Sequence, residues 1–125
     1  MLNNIAIATS DASIRVVLKE NLKNVYQNDP GTVVFEELGI AHGAARIDIA
    51  VVNGIMHGYE VKSDLDTLRR LPEQMDIYNS VFDRVTLVVG QTHLHEAIKL
   101  VPDWWGIKIA KAVNSDNEIS FSNIR

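Results

Sequence analysis

Apolar residues recur at helical spacing near the start of the chain. Ile14, Val17, Leu18, Leu22 and Val25 make one stripe. Ser10 or Asp11 stands ahead of it as a cap, which predicts a helix running to about Tyr26. Asn28-Asp29-Pro30-Gly31 then turns the chain. Val33-Val34-Phe35 opens a short strand that runs into Glu36-Glu37-Leu38. Arg46 to Val52 reads as a second strand and Ile55 to Lys62 as a third. Between them, Asn53-Gly54 is a two-residue hairpin signal, because both positions tolerate positive φ. The two strands are therefore expected to pair antiparallel. Asp64 or Asp66 caps a further helix through about Asn79, with Pro72 kinking or restarting it. Arg84 to Val89 is a buried-looking strand, His93 to Leu100 a short helix and Trp105 to Ala112 a returning strand. Glu118 to Ile124 adds an edge strand.

The order is helix, three strands, helix, strand, helix, strand. It predicts a mixed α/β fold in which an early antiparallel hairpin is followed by crossover-connected strands, flanked by helices. No repeat, low-complexity tract or Pro/Gly/Ser linker interrupts it, so residues 1–125 are expected to form one domain.

Composition narrows the picture. The 125 residues are 46% hydrophobic, enough for a core without staples. Cysteine is absent, which excludes disulfides and thiolate zinc sites and fits a reducing cytoplasm. The apolar run Ile5 to Ala8 is too short for a signal-peptide core, and no basic stretch precedes it. No segment approaches the roughly 20 apolar residues of a membrane span. A net charge of -4 argues against coating nucleic acid through bulk charge. It leaves room for a site that meets phosphates through bound cations, since such a site needs carboxylates.

The segment A-R-I-D-I-A-V-V-N-G-I-M-H-G-Y-E-V-K, residues 45–62, carries the candidate chemistry. Alternate side chains of a strand share a face. Arg46, Asp48 and Ala50 are expected on one face, and Ile47, Ile49 and Val51 on the other. Glu60 and Lys62 share a face of the returning strand, opposite Tyr59 and Val61. The hairpin then brings Asp48, Glu60 and Lys62 together. Two carboxylates can hold Mg²⁺ and leave positions for water and a phosphate oxygen. A neighbouring lysine can orient that water or stabilise developing charge. An E-x-K pair alone more often decorates a solvated face.

Other residues add to this group. Gln74 and Tyr78 lie one helical turn apart on one face. Arg46 can hold a carboxylate or meet a phosphate, or else form a structural ion pair. Ser63, Asp64 and Asp66 fit N-capping, and Arg69 and Arg70 fit a solvated helix face or a phosphate contact. His93-x-His95 has a spacing that could ligate zinc on a strand, but it falls at a helix start with no third ligand. His42, His57, His93 and His95 therefore make no metal site, and His57 falls on the Tyr59 side of its strand. Trp104-Trp105 closes the core or an interface, or stacks on an unpaired base.

The series R-x-D, E-x-K and Q-x-x-x-Y resembles the PD-(D/E)XK nuclease superfamily, with the last motif similar to RecB-type nucleases. More narrowly it resembles a family of small bacterial proteins within it. The matching segments are EELGIAHGAARIDIAVVNG, GYEVKSDLDTLRRLPEQMDIYN, FDRVTLVVG and PDWWGI, spread over roughly residues 10 to 110. Ile47 stands where the superfamily often has proline. The resemblance implies a restriction-endonuclease-like core, Mg²⁺ dependence with Mn²⁺ able to substitute, and action on DNA. It implies metal binding by Asp48, Glu60, the Val61 carbonyl and an upstream glutamate. Glu37 suits the interval best, with Glu36 and Glu20 as alternatives. Lys62 would position or activate the attacking water, and Gln74, Tyr78 and Arg46 would support the site.

The expected function is therefore a cytoplasmic Mg²⁺-dependent deoxyribonuclease hydrolysing DNA phosphodiester bonds, working as a homodimer or beside a larger partner. Two alternatives stand beside it. One is a module of the same fold, weakly active or inactive, that binds nucleic acid or a protein. The other is an inhibitor or immunity-type partner protein.

Overall fold

The computed structural model describes residues 5–125. Residues 1–4, on which the signal-peptide expectation bears, lie outside the described residues. The elements are β1 (Ala6–Ile7), α1 (Asp11–Val25), β2 (Val33–Ile40), β3 (Ala45–Val52), β4 (Met56–Lys62), α2 (Leu71–Val81), β5 (Arg84–Gly90), α3 (Leu94–Leu100), β6 (Gly106–Val113) and β7 (Ile119–Asn123). No helix among the described residues is long and apolar enough to cross a membrane.

The fold is mixed α/β, as the order of elements predicts. One sheet runs β1-β6-β5-β4-β3-β2, and β7 also pairs with β6. The β2–β3 and β3–β4 pairs are antiparallel, whereas β4–β5 and β5–β6 are parallel. Parallel neighbours need crossovers, and α2 and α3 supply them. The two-residue strand β1, which periodicity is too short to reveal, pairs with the end of β6.

Helix α1 begins where its cap predicts. The Ser10 hydroxyl accepts the Ser13 N–H, satisfying one of the free amides of the first turn. Ile14, Leu18 and Leu22 are buried against Ile49, Val51, Tyr59 and Val61 on one sheet face. Val25, expected in the same stripe, is 71% exposed, and Tyr26, one turn after Leu22, packs against this cluster instead. The opposite face packs Leu71 and Tyr78 of α2, Ala97 of α3 and Trp105 against Ile47, Val85, Leu87 and Ile107.

Two local expectations change. Residues 53–55 connect β3 to β4, with Val52 still paired to Met56, so the turn is one residue longer than Asn-Gly alone. Gly54 takes the positive φ of 95°. Helix α2 starts at Leu71 rather than at Asp64 or Asp66. Pro72 falls in its first turn, where a missing N–H costs nothing. The two aspartates are used elsewhere. Asp64 accepts the N–H and hydroxyl of Thr9 through Oδ2, at 2.9 and 3.0 Å, and those of Thr92 through Oδ1, at 3.1 and 2.8 Å. It thereby fastens the loops before α1 and after β5 to the end of β4. Asp66 Oδ2 accepts the N–H and hydroxyl of Ser63.

Candidate functional site

The site grows from a break between two strands. The β3–β4 ladder runs from Val52↔Met56 to Ile49↔Tyr59 and stops. Beyond that point β3 follows β2 instead. The divergence also breaks the expected alternation on β3. Ile47 packs in the α2-side core together with Ala50, whereas Ile49 and Val51 pack under α1. A strand leaving its neighbour exposes main-chain groups that need partners. Asp48 supplies one, its Oδ2 accepting the Val61 N–H at 2.7 Å.

Glu60 follows on β4, with a side chain only 3% exposed. Its Oε1 lies 2.7 Å from the Tyr78 hydroxyl, and its Oε2 lies 3.0 Å from Lys62 Nζ. The Tyr78 hydroxyl also reaches the Arg46 carbonyl oxygen at 3.1 Å, tying α2 to both strands. Burial pushes the Asp48 carboxyl up to about 7, and the Glu60 charge adds to the rise against the Val61 hydrogen bond. Burial also raises Glu60, opposed by Lys62 and the Tyr78 hydrogen bond. Burial and the adjacent Glu60 carboxylate hold the Tyr78 phenol well above its ordinary range. The pair of carboxylates is thus held in a place where full ionisation is costly without a further positive charge.

Asp48, Glu60 and Lys62 line a cavity of about 340 Å³ together with Arg46, Arg70 and Gln74. Asp11 lines it too, from the first turn of α1. Sequence reasoning gave Asp11 only a capping role. It instead pairs with Arg15 at 2.6 Å, while its charge raises both Asp48 and Glu60. The i,i+4 pairing of Asp11 with Arg15 was the available signal. Two oxygens of cavity-lining residues, Asp11 Oδ1 and Gln74 Oε1, are buried without a hydrogen-bond partner among the described residues. Buried acceptors without donors are uncommon and favour a bound water or cation.

The structure therefore brings Asp48, Glu60, Lys62, Gln74, Tyr78, Arg46 and Val61 to one place. Of the upstream glutamates, Glu37 also lines this cavity, whereas Glu36 and Glu20 do not. Glu37 sits across the β2–β3 ladder from Asp48, between the pairs Glu36↔Ile49 and Leu38↔Ile47, in a left-handed conformation with φ of 48°. Its carboxylate turns to Arg15 at 3.0 Å, and that guanidinium holds it below the usual range. Glu36 pairs with Lys19 at 2.5 Å, and Glu20 is exposed on α1. Among the described residues, no group of three or more His, Asp or Glu side chains is placed to hold a metal directly.

His57 stacks on Tyr59, with ring centres 4.3 Å apart, on the sheet face away from Glu60. His93 Nε2 donates to the Asp66 carbonyl at 2.7 Å. Trp105 is buried, its indole N–H donating to Asn79, whereas Trp104 is 48% exposed.

The residues present fit a hydrated cation better than a fully protein-caged one. Mg²⁺ keeps several waters and commonly binds through one or two carboxylates. Asp48 and Glu60 would supply those carboxylates. The unpartnered oxygens of Asp11 and Gln74 suit contacts to the waters.

The family model described as Bacteriophage P4 protein cII matches residues 6–125. Protein cII of Enterobacteria phage P4 is 30% identical over 105 residues, covering 84% of this chain and 39% of that relative. The chain thus spans about two fifths of the length of the curated relative it matches. No solved structure matches. Both similarities point away from the PD-(D/E)XK superfamily and overturn that resemblance. The expected DNA hydrolysis, and the assignment as a metal-dependent phosphodiesterase or deoxyribonuclease, fall with it, since they rested on the resemblance. R-x-D, E-x-K and Q-x-x-x-Y are short patterns that any polar hairpin face beside a helix can present. The third carboxylate that the resemblance implied is committed to Arg15.

Proposed function

The chain belongs to the bacteriophage P4 protein cII family, and from that premise we propose a binding role for the cavity between β3, β4 and α2. In this reading it holds one hydrated divalent cation, Mg²⁺ or Mn²⁺, and through that cation and its basic rim the chain binds DNA. The observation that carries the reading is the pairing of Asp48 with the buried Glu60 in a cavity that also presents unpartnered oxygens. A cation relieves the repulsion between the two carboxylates and gives the orphan acceptors hydrated partners.

Phosphate binding follows from the rim. Arg46 and Arg70 are exposed beside the cavity, and Lys62 is half-buried in it. Cation binding at Glu60 frees the Lys62 ammonium from its 3.0 Å pair for a phosphate oxygen. A chain with net charge -4 gains little from bulk attraction to DNA. A local cation and a few guanidinium groups compensate at one place. Val61 lines the same cavity and offers its carbonyl as a further oxygen ligand.

Fluorescence anisotropy of labelled DNA, with Mg²⁺ or with EDTA, tests this reading. Wild-type protein is expected to bind in Mg²⁺ and to release the DNA in EDTA, and Asp48→Asn to bind weakly in both. Equal binding in Mg²⁺ and EDTA, or no binding at all, would contradict it.

A further inference from the structure

A second cavity, of about 550 Å³, lies at the other end of the parallel strands on the α1 side of the sheet. Strand alternation and register explain its lining. His57 and Tyr59 on β4 stand beside Arg84 and Thr86 on β5. Thr86 stands beside Gly106 on β6, and Lys108 projects two residues further along. Paired residues of a parallel ladder share a face, so aromatic rings and cations converge there. A Cβ at Gly106 would come within 3.0 Å of the Thr86 hydroxyl, so glycine keeps the floor open.

His57 is held by Tyr59 and by the Thr86 hydroxyl at 2.8 Å, which leaves Trp104 and the cations available to a ligand. Arg84 and Lys108 make no ion pair among the described residues. The acid lining the cavity, Asp103, lies 3.8 Å from Arg125, so its charge is partly answered. His57 and Tyr59 form a stacked pair with an interplanar angle of 20°. Trp104 lies edge-on to Trp105 and remains half exposed at the cavity wall. Burial, with the charges of Arg84 and Lys108, depresses His57 to about 4, so the imidazole is neutral at physiological pH. The net result is an aromatic wall beside two cations that form no ion pair among the described residues.

We propose that this cavity binds a nucleotide, with the base stacked on Trp104 and the phosphate held by Arg84 and Lys108. Its volume lies in the range of small-ligand sites. Aromatic stacking accepts any base, because each has a π-face. The same chemistry is offered by a free mononucleotide and by the phosphorylated terminal residue of a strand. The site shares no lining residue with the carboxylate cavity and requires no metal.

Isothermal titration calorimetry in EDTA tests the proposal, with Trp104 fluorescence as a second readout. The probes are deoxyadenosine monophosphate, deoxyadenosine, inorganic phosphate and a 5′-phosphorylated tetranucleotide. Saturable binding of the monophosphate or the tetranucleotide is expected, tighter than either deoxyadenosine or phosphate alone. Arg84→Ala and Lys108→Ala each weaken it about tenfold or more. Trp104→Ala does so by a similar factor, lost with the stacking contact. Comparable affinity for the monophosphate and the strand identifies the free nucleotide as sufficient. Binding of the strand alone identifies a chain terminus. Absence of binding by both, or affinities unchanged in all three variants, overturns the proposal. Because EDTA is present throughout, failure here leaves the cation-dependent reading untouched, and failure of that reading leaves this one standing.

Discussion

Asp48 Oδ2 accepts the Val61 N–H at 2.7 Å where the β3 main chain has ceased to pair with β4. One carboxylate therefore repairs a strand divergence and faces a buried glutamate. Those roles pull against each other, because the hydrogen bond favours the charged form while burial and Glu60 disfavour it.

Substitutions at position 48 separate the roles. Asp48→Ala leaves the Val61 N–H without its partner, at a cost of about 1–3 kcal/mol. Asp48→Asn retains an acceptor oxygen and removes the charge, so it should match or exceed the wild type in stability at neutral pH without added cation. Urea unfolding of the two variants measures the difference.

Stability should depend on pH in a direction set by the same group. The Asp48 carboxyl titrates at about 7 in the folded chain, above its ordinary value. The folded state therefore binds the proton more tightly than the unfolded state. Its contribution is present at acid pH and is lost as pH rises from about 4 toward 7, by an amount on the order of a few kcal/mol. Asp48→Asn should flatten that slope. Added Mg²⁺ should flatten it too, since a bound cation lowers the carboxyl's affinity for protons. Thermal unfolding across this range, with Mg²⁺ or EDTA, checks both statements.

Asp64 gives the opposite sign. Burial works to raise it, but the Thr9 and Thr92 donors outweigh burial and hold it below its ordinary value. Its contribution is complete above the ordinary carboxyl range and is lost as pH falls through the depressed value. Asp64→Ala is expected to destabilise the chain by roughly 1–3 kcal/mol at neutral pH, because several donors lose their acceptor. The loss should shrink in acid.

Gly90→Ala probes the same junction. A Cβ there would come within 2.6 Å of the Asp64 main-chain nitrogen, and main chain cannot move aside as a side chain can. The variant is expected to lose roughly 1–3 kcal/mol by overpacking. A melting temperature equal to the wild type would refute this account of the contact.

Much of the fold was legible because it rests on local periodicity. The stripe of Ile14, Leu18 and Leu22, the apolar run of β5 and the hairpin glycine at 54 each declare an element without long-range help. The start of α2 was not legible, because Asp64 and Asp66 look like caps and their actual partners, Thr9, Thr92 and Ser63, are set by the tertiary fold. Strand alternation placed Glu60 beside Lys62 and put His57 with Tyr59. It could not foresee that β3 would leave β4 at Asp48 or that Glu37 would turn to Arg15. Asp11 was missed because it reaches the cavity from a helix distant in sequence from the hairpin. The family was misread because the motifs that suggested it describe a face and a spacing, which several ancestries can share.

Binding of Mn²⁺, followed by electron paramagnetic resonance as the free-ion signal disappears, shows whether the Asp48–Glu60 cavity holds a divalent cation. A saturable site is expected in the wild type, one that Asp48→Asn removes, from which Mg²⁺ displaces Mn²⁺, and that Glu37→Ala leaves intact. No saturable binding by the wild type, or equal binding by Asp48→Asn, would contradict it.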